Sequence, residues 1–277
     1  MRESLVRGMG LGVRWAVAGA IVGACPVLVS GQTGTLLRGF HIGLALQAGQ
    51  VGATMQKSVD NTAPNTLVPE PRRGRVFQDK ASGDGAAYGA GVVGGYRVPL
   101  SGGAWFVEAE AGVAWHGGST EAQFAGVGVS PDRRQLGESW PDSWEVSKEI
   151  SYGATLRLGG SPGGLGSRGM AFHLLAGMRF AAVGFTNHYV GCFSPDPCEP
   201  SEFGSGREDM DMDFTVWRGG IGLEKSLGDR LAVRVEADYS MYAREEWVTP
   251  FNDVVVTVDS GMEASEVGLS LGLIRRF

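Results

Sequence analysis

Along GFHIGLALQAG, Phe40, Ile42, Leu44 and Leu46 alternate with Gly39, His41, Gly43, Ala45 and Gln47. The same period of two runs through YGAGVVGGYRV, where Tyr88, Ala90, Val92, Gly94, Tyr96 and Val98 share a face. In WFVEAEAGVAWH it sets Trp105, Val107, Ala109, Ala111, Val113 and Trp115 against Phe106, Glu108, Glu110, Gly112, Ala114 and His116. ISYGATLRL, MAFHLLAGMRF and LAVRVEADYSMY repeat it around Ile150–Leu158, Met170–Phe180 and Leu231–Met241. VGLSLGLIRRF closes the chain, with Val267, Leu269, Leu271 and Leu273 alternating toward a final Phe277. Alternation over such lengths predicts strands. The stretch 214–227 is less regular: Trp217, Ile221 and Leu223 favour one face and Phe214 and Val216 the other, so a bulge is expected there. The expected total is eight strands.

The connections fall into two classes. Strands 2 and 3 are joined around LSGG, strands 4 and 5 by GGSPGGLGSRG, and strands 6 and 7 by LGDR. The other joins span roughly 58–84, 117–143, 184–211 and 243–262 and are rich in Pro, Asp, Glu and Ser. Structureless loops of this length are uncommon in compact soluble domains. Strict alternation of short turns and long loops is the habit of barrels in outer membranes.

Periodicity alone does not say which face is inside. The apolar faces carry no acid or base, whereas the opposite faces carry Arg97, Glu108, Glu110, Arg157, Arg179, Arg234, Glu236, Asp238 and Glu266 among many glycines. A lumen just wide enough for side chains suits small residues beside long paired charges. Trp105 and Trp115 lie ten residues apart on one face. That is roughly 33 Å along a strand, or about 25 Å after tilting, the height of an apolar band between aromatic girdles. Trp105, Trp115, Tyr96, Tyr239 and Phe277 are the expected girdle residues.

Composition supports export. MRESLVRGMGLGVRWAVAGAIVGACPVLVSGQ places Arg2, Arg7 and Arg14 before an apolar run from Trp15 to Val29, then small residues, the order of a secretory signal. Cleavage after Gly31 makes residues 1–31 the signal and 32–277 a single barrel domain. It removes three arginines and one glutamate, so the net charge falls from −6 to −8. VGAC at Val22–Cys25 offers a competing reading as a lipidation site on Cys25, against which the apolar run continues to Val29. Cys192 and Cys198 in CFSPDPC would then remain as an even pair, read as a disulfide. The acidic balance argues against a nucleic-acid partner.

With alternating strands, hairpin rhythm and the terminal Phe277, the chain resembles the small bacterial outer-membrane barrels of the OmpA-transmembrane, OmpX and opacity-protein type. The resemblance implies an all-β, eight-stranded, antiparallel, up-and-down transmembrane barrel with short periplasmic turns and four long extracellular loops. It also implies a monomer in the outer membrane of a Gram-negative cell, among lipid and lipopolysaccharide. The terminal strand would be read by the barrel assembly machinery, although Arg275 stands where such signals carry an aromatic or aliphatic residue.

Candidate chemistry is sparse. Asp209, Asp211 and Asp213 lie on one side of an extended segment and could offer oxygen ligands to Ca²⁺, but without the glycine-turned loop of an EF-hand. No H-x-S pair occurs around His41, His116, His173 or His188, so no enzyme, catalytic residue, metal or cofactor is expected. The lumen charges read as a static plug rather than a gate, since unpaired buried charges are costly. The expected role is structural or surface-interacting, with an extracellular ligand bound by loops such as the acidic 184–211 or the basic stretch of Arg72, Arg73, Arg75 and Lys80. Alternatives are a narrow channel for small solutes, a lipid-modifying enzyme, and a secreted lipocalin-like barrel hinted at by Gly103–Trp105.

Overall fold

The computed structural model describes residues 38–64, 73–100, 104–124, 142–161, 170–191, 204–251 and 256–277. The signal segment, Cys25 and the Cys192–Cys198 pair lie outside them. Ten strands follow in order: β1 Gly39–Asp60, β2 Val76–Leu100, β3 Trp105–Gly117, β4 Ser119–Gln123, β5 Ser143–Gly160, β6 Met170–Gly191, β7 Gly204–Ser226, β8 Leu231–Tyr242, β9 Glu245–Phe251 and β10 Val256–Arg276. Neighbours pair antiparallel, and β1 pairs with β10 from His41↔Arg276 to Asp60↔Thr257, which closes the sheet into a barrel. β3 and β4 pair in turn with β5, and β8 and β9 with β10, so the ten strands make eight staves. The break between β3 and β4 is Gly118, whose φ of 94° suits a residue without Cβ.

The long outer joins are shorter than their composition suggested. β1 and β2 stay in register to Asp60↔Val76, and β6 and β7 to Gly191↔Gly204. Much of the expected loops at 58–84 and 184–211 is therefore hairpin wall, and β4, β9 and the first turns of β5 and β10 take similar shares of the other two.

The bulge is also elsewhere. β7 pairs without interruption on both sides. The register shift falls in β5, between Lys148 and Ile150. One extra residue there reverses the parity of the strand. Buried Trp144 and Val146 lie before the shift, and buried Ser151, Thr155 and Arg157 lie after it.

What made β7 look irregular is a change of content on each face. Its outward positions run Leu223, Ile221, Trp217, then Asp213 and Asp211, while its inward positions run Glu224, Arg218, then Val216, Phe214 and Met212. β1 does the same: Phe40, Ile42, Leu44 and Leu46 point outward near the chain start, and Ala53 and Met55 point inward farther along. The barrel thus has two halves of opposite polarity. The half holding the short turns is apolar outside and ionic inside. The far half is polar outside around an apolar core of Met55, Phe124, Trp144, Val183, Phe185, Met212, Phe214, Tyr242 and Met262.

Candidate functional site

Two aromatic rings bracket the outward apolar surface. Phe40, Tyr96, Trp105, Phe172 and Phe277 lie at the short-turn end, with Phe40 and Tyr96 edge to face at 4.7 Å. Tyr88, Trp115, Tyr152, Phe180, Trp217 and Tyr239 form the other ring, one on each of six successive staves. The five girdle residues expected from sequence divide between them. Tyr96, Trp105 and Phe277 sit in the near ring, and Trp115 and Tyr239 in the far one. Between the rings Leu44, Leu46, Leu156, Leu174, Ile221, Leu269 and Leu271 are all more than half exposed. The sole outward charge between the rings, among the described residues, is Arg275, whose guanidinium carbon lies 5.5 Å from the Phe277 ring centre.

Inside this belt the pleat aims every second residue at the barrel axis, and opposing staves bring their charges together. Arg97 on β2 donates from Nε to Glu108 at 2.6 Å and through both terminal nitrogens to Glu224 at 2.8 Å. Arg234 on β8 reaches Glu108 at 2.6 Å, Glu110 at 2.7 Å and Glu224 at 2.9 Å. Arg157 on β5 joins Glu236 at 2.6 Å and Glu110 at 2.8 Å. His41 and His173 add contacts to Glu110 and Glu236 at 3.1 and 2.9 Å, and Arg276 a contact to Glu224. Each acid of this mesh therefore meets at least two cationic or imidazole partners, the geometry in which a buried ion network is tolerated. Phe106, Ala232 and Ile274, all buried, fill the lumen toward the short turns, and the Arg97 guanidinium carbon sits 3.9 Å from the Phe106 ring centre.

A second polar layer lies between the mesh and the apolar core. Lys148 and Tyr242 share one oxygen of Glu266, at 2.8 and 2.6 Å. Arg218 binds Asp238 at 2.8 Å. His116 Nε2 lies 2.8 Å from Ser151 Oγ. Among the described residues, Arg179 donates only one long hydrogen bond, to the Gln47 side-chain oxygen Oε1 at 3.4 Å. Beyond the apolar core, Lys57 pins Asp142 at 2.6 Å and Asn187 at 3.2 Å and lies over Phe124. In cross-section the lumen therefore reads, from the short turns outward, as apolar floor, ionic mesh, polar layer, apolar core and polar pin.

Of the nine lumen charges expected from sequence, six meet in the mesh: Arg97, Glu108, Glu110, Arg157, Arg234 and Glu236. Asp238 and Glu266 pair in the layer above, and Arg179 joins no ion pair among the described residues. Sequence reasoning missed Glu224, Arg218, Lys148, Arg276, His41 and His173 as members. The signal for His41, His173 and Arg276 was their place opposite apolar residues. Glu224 and Arg218 were hidden by the polarity change in β7, and Lys148 by the parity shift in β5.

Two arrangements bear on chemistry. His41, Glu108 and Glu110 offer atoms within 4.8 Å of one another, a spacing compatible with a metal ion. Their carboxylates already accept guanidinium donors, so a cation there would displace arginines rather than fill a gap. His116 and Ser151 form a hydrogen-bonded pair that no sequence motif announced, but Ser151 is 1% exposed and faces the interior. The three aspartates of β7 point outward from the far half. Asp209 accepts from Thr186 at 2.7 Å and from Arg207 at 2.8 Å, and these bonds, the Thr186 hydroxyl first, hold its carboxyl below the usual range.

The chain is similar in fold to outer-membrane β-barrels. The attachment invasion locus protein Ail of Yersinia pestis shares 12% identity with a TM-score of 0.22, over 80% of this chain and 97% of that one. Neisserial surface protein A shares 10% with a TM-score of 0.28, over 83% and 97%. The outer membrane protein OprG of Pseudomonas aeruginosa shares 10% with a TM-score of 0.41, over 85% and 96%. No family model and no curated protein matches the sequence. Identities this low bear on fold alone, and the barrel itself stands on the closed strand ladder.

Proposed function

We propose that the chain is a monomeric outer-membrane barrel, exported by a signal cleaved after Gly31, which anchors its far-half hairpins outside the cell and passes no solute. The observation that carries this reading is the pair of opposite polarities. A continuous outward belt of leucines, valines and isoleucines exceeds what water-soluble monomers leave exposed, and hydrocarbon is the solvent that suits it. The polar outer walls of the far half suit water and lipopolysaccharide. The filled lumen favours an anchor over a channel, because ionic mesh and apolar core obstruct it in series.

Function then belongs to the projecting hairpins, whose walls carry Glu208, Asp209, Asp211 and Asp213 on β7 and Glu246 and Glu263 near Arg244. Their paired strands and outward acids fit a surface-interaction role with an extracellular partner. The reading assigns no catalysis to the barrel. The test is insertion of the purified chain into planar bilayers at neutral pH. The expected outcome is a barrel that inserts, migrates faster on unboiled gels and shows no steady conductance. Steady conductance that Glu108→Ala abolishes would replace the anchor with a channel.

A further inference from the structure

One charge stands on the oily face of the barrel with no acid to meet it. Arg275 is exposed on β10 between Leu273 and Phe277, and its ladder partners are Ile42 of β1 and Leu231 of β8. Among the described residues it makes no ion pair, and its guanidinium lies beside the Phe277 ring. Arg230 repeats the situation one residue away. It stands exposed in the turn between β7 and β8, its carbonyl accepts the Arg276 amide at 2.8 Å, and its side chain also makes no ion pair among the described residues.

The surrounding rim is basic on this side. Lys225 is exposed on the outward face of β7 opposite Val233, and Arg38 is exposed just before β1, where its Nε donates to the Tyr96 hydroxyl at 3.3 Å. The only exposed side-chain acid at this rim, among the described residues, is Asp229. Glu224 faces the lumen, where Arg97, Arg234 and Arg276 hold it. These bases belong to four neighbouring staves, whereas β2, β3, β5 and β6 end at the same level on Leu100, Trp105, Gly160 and Met170. The far half has the opposite sign, with Asp209, Asp211 and Asp213 outward on β7.

A guanidinium beside hydrocarbon can reach past it on an apolar stem, but its charge then needs water or an anion. Two of them rising from adjoining backbone positions repel each other, and an anion between them turns that repulsion into attraction. Phosphate is the anion whose oxygens match guanidinium donors in pairs. At the edge of an apolar belt, a phosphodiester arrives attached to chains that fit the surface beside it, here Ile42, Leu231 and Leu273, all exposed. A zwitterionic headgroup would set its ammonium among the same bases, so a headgroup of net negative charge fits better.

We propose that the short-turn rim across β8 and β10 binds one anionic phospholipid, its phosphate held by Arg275 and Arg230 with Lys225 alongside, and its acyl chains along Ile42, Leu231 and Leu273. The inference rests on the anchoring reading, which sets this rim against the leaflet on the side of the short turns. It adds a lipid class and an address on the wall.

The test uses the folded barrel in a zwitterionic detergent, with phosphatidylglycerol, phosphatidylcholine and inorganic phosphate as probes. Native mass spectrometry is expected to show one phosphatidylglycerol retained per barrel, several-fold more often than phosphatidylcholine. The thermal midpoint of the fast-migrating gel form is expected to rise with phosphatidylglycerol and to stay level with the other two, because a ligand of the folded state stabilises it by mass action. In Arg275→Gln/Arg230→Gln the retained lipid and the rise are both expected to be lost, and each single variant is expected to lose part. Failure of the double variant to fold leaves the decision with the single variants and the wild-type lipid series. Equal retention of the two lipids, a midpoint raised as much by inorganic phosphate, or full retention in the double variant would overturn the proposal and leave the anchor standing, provided the barrel still inserts into phosphatidylcholine vesicles. A chain that inserts into vesicles of neither lipid would overturn both.

Discussion

At the scale of single residues, the mesh ties stability to a few carboxylates. Glu108 accepts from Arg97 and Arg234 at 2.6 Å each. Removing it leaves two guanidiniums short of an acceptor in a closed lumen. Breaking one partner of a buried ion pair costs about 3–5 kcal/mol. Glu108→Ala is therefore expected to lower the temperature at which the barrel loses its fast-migrating gel form, while the double variant Glu108→Ala/Arg97→Ala loses less than the sum of the two singles. Additive losses would show that the pair is not coupled. On the outer wall the relevant residue is Asp209. Its carboxyl lies below the usual range, so the bond from Thr186 persists as pH falls through ordinary carboxylate values and breaks only lower. The sign is that of a depressed acid: stabilisation is present above the unfolded value and is lost as pH falls through the folded one. A ¹³C carboxyl titration should show a low midpoint that moves up in Thr186→Val, and an unmoved midpoint would refute the assignment. These residue roles were partly legible in sequence. Glu108, Glu110 and Arg97 announced themselves by alternating with apolar neighbours. Arg179 announced itself equally well, yet only the packing reveals that, among the described residues, it lies beside Asp238 and Glu266 without an ion pair to either.

At the scale of strands, the period of two told where strands run but not where each face changes character. Within the belt the oily positions face outward, and beyond the far aromatic ring they face inward. A strand crossing that line keeps its pleat and exchanges its solvent. This is why β7 read as ambiguous, and why polar stretches such as 204–213 looked like loops. Their alternate Met210, Met212 and Phe214 are core residues between aspartates. The boundary makes a sharp prediction on one strand face. Ile221→Arg places a charge in the belt and is expected to cost about 2–4 kcal/mol, as basic residues do at mid-bilayer. Asp211→Arg, on the same outward face ten residues nearer the far end, is expected to stay within about 0.5 kcal/mol of the parent. Both are read from chemical unfolding and refolding in lipid vesicles. Equal costs would erase the boundary.

At the scale of the whole molecule, eight staves make a tube whose lumen, over the described residues, is obstructed by successive ionic and apolar layers. The number of staves and the closure were legible from hairpin rhythm, whereas the division of two staves into β3/β4 and β8/β9 was not. The stacked layers in the lumen were not, because they depend on which staves face one another across the axis, and Arg97 and Glu224 are 127 residues apart in the chain. The layers make the barrel a stiff mount. Its apolar core sits in the half that would project from the membrane, where water surrounds it and the hydrophobic effect acts as in a soluble protein.

The account rests on that reversal of polarity along the barrel axis, and tryptophan quenching by brominated lipid reads it directly. Trp105, Trp115 and Trp217 are each slightly more than half exposed on the outer belt, whereas Trp144 is 1% exposed inside the far half. Single-tryptophan variants retaining one of these residues would be folded into vesicles containing lipids brominated along the acyl chain. The account predicts strong quenching of Trp105, Trp115 and Trp217 and none of Trp144. Quenching of Trp144 with the belt tryptophans untouched would contradict it.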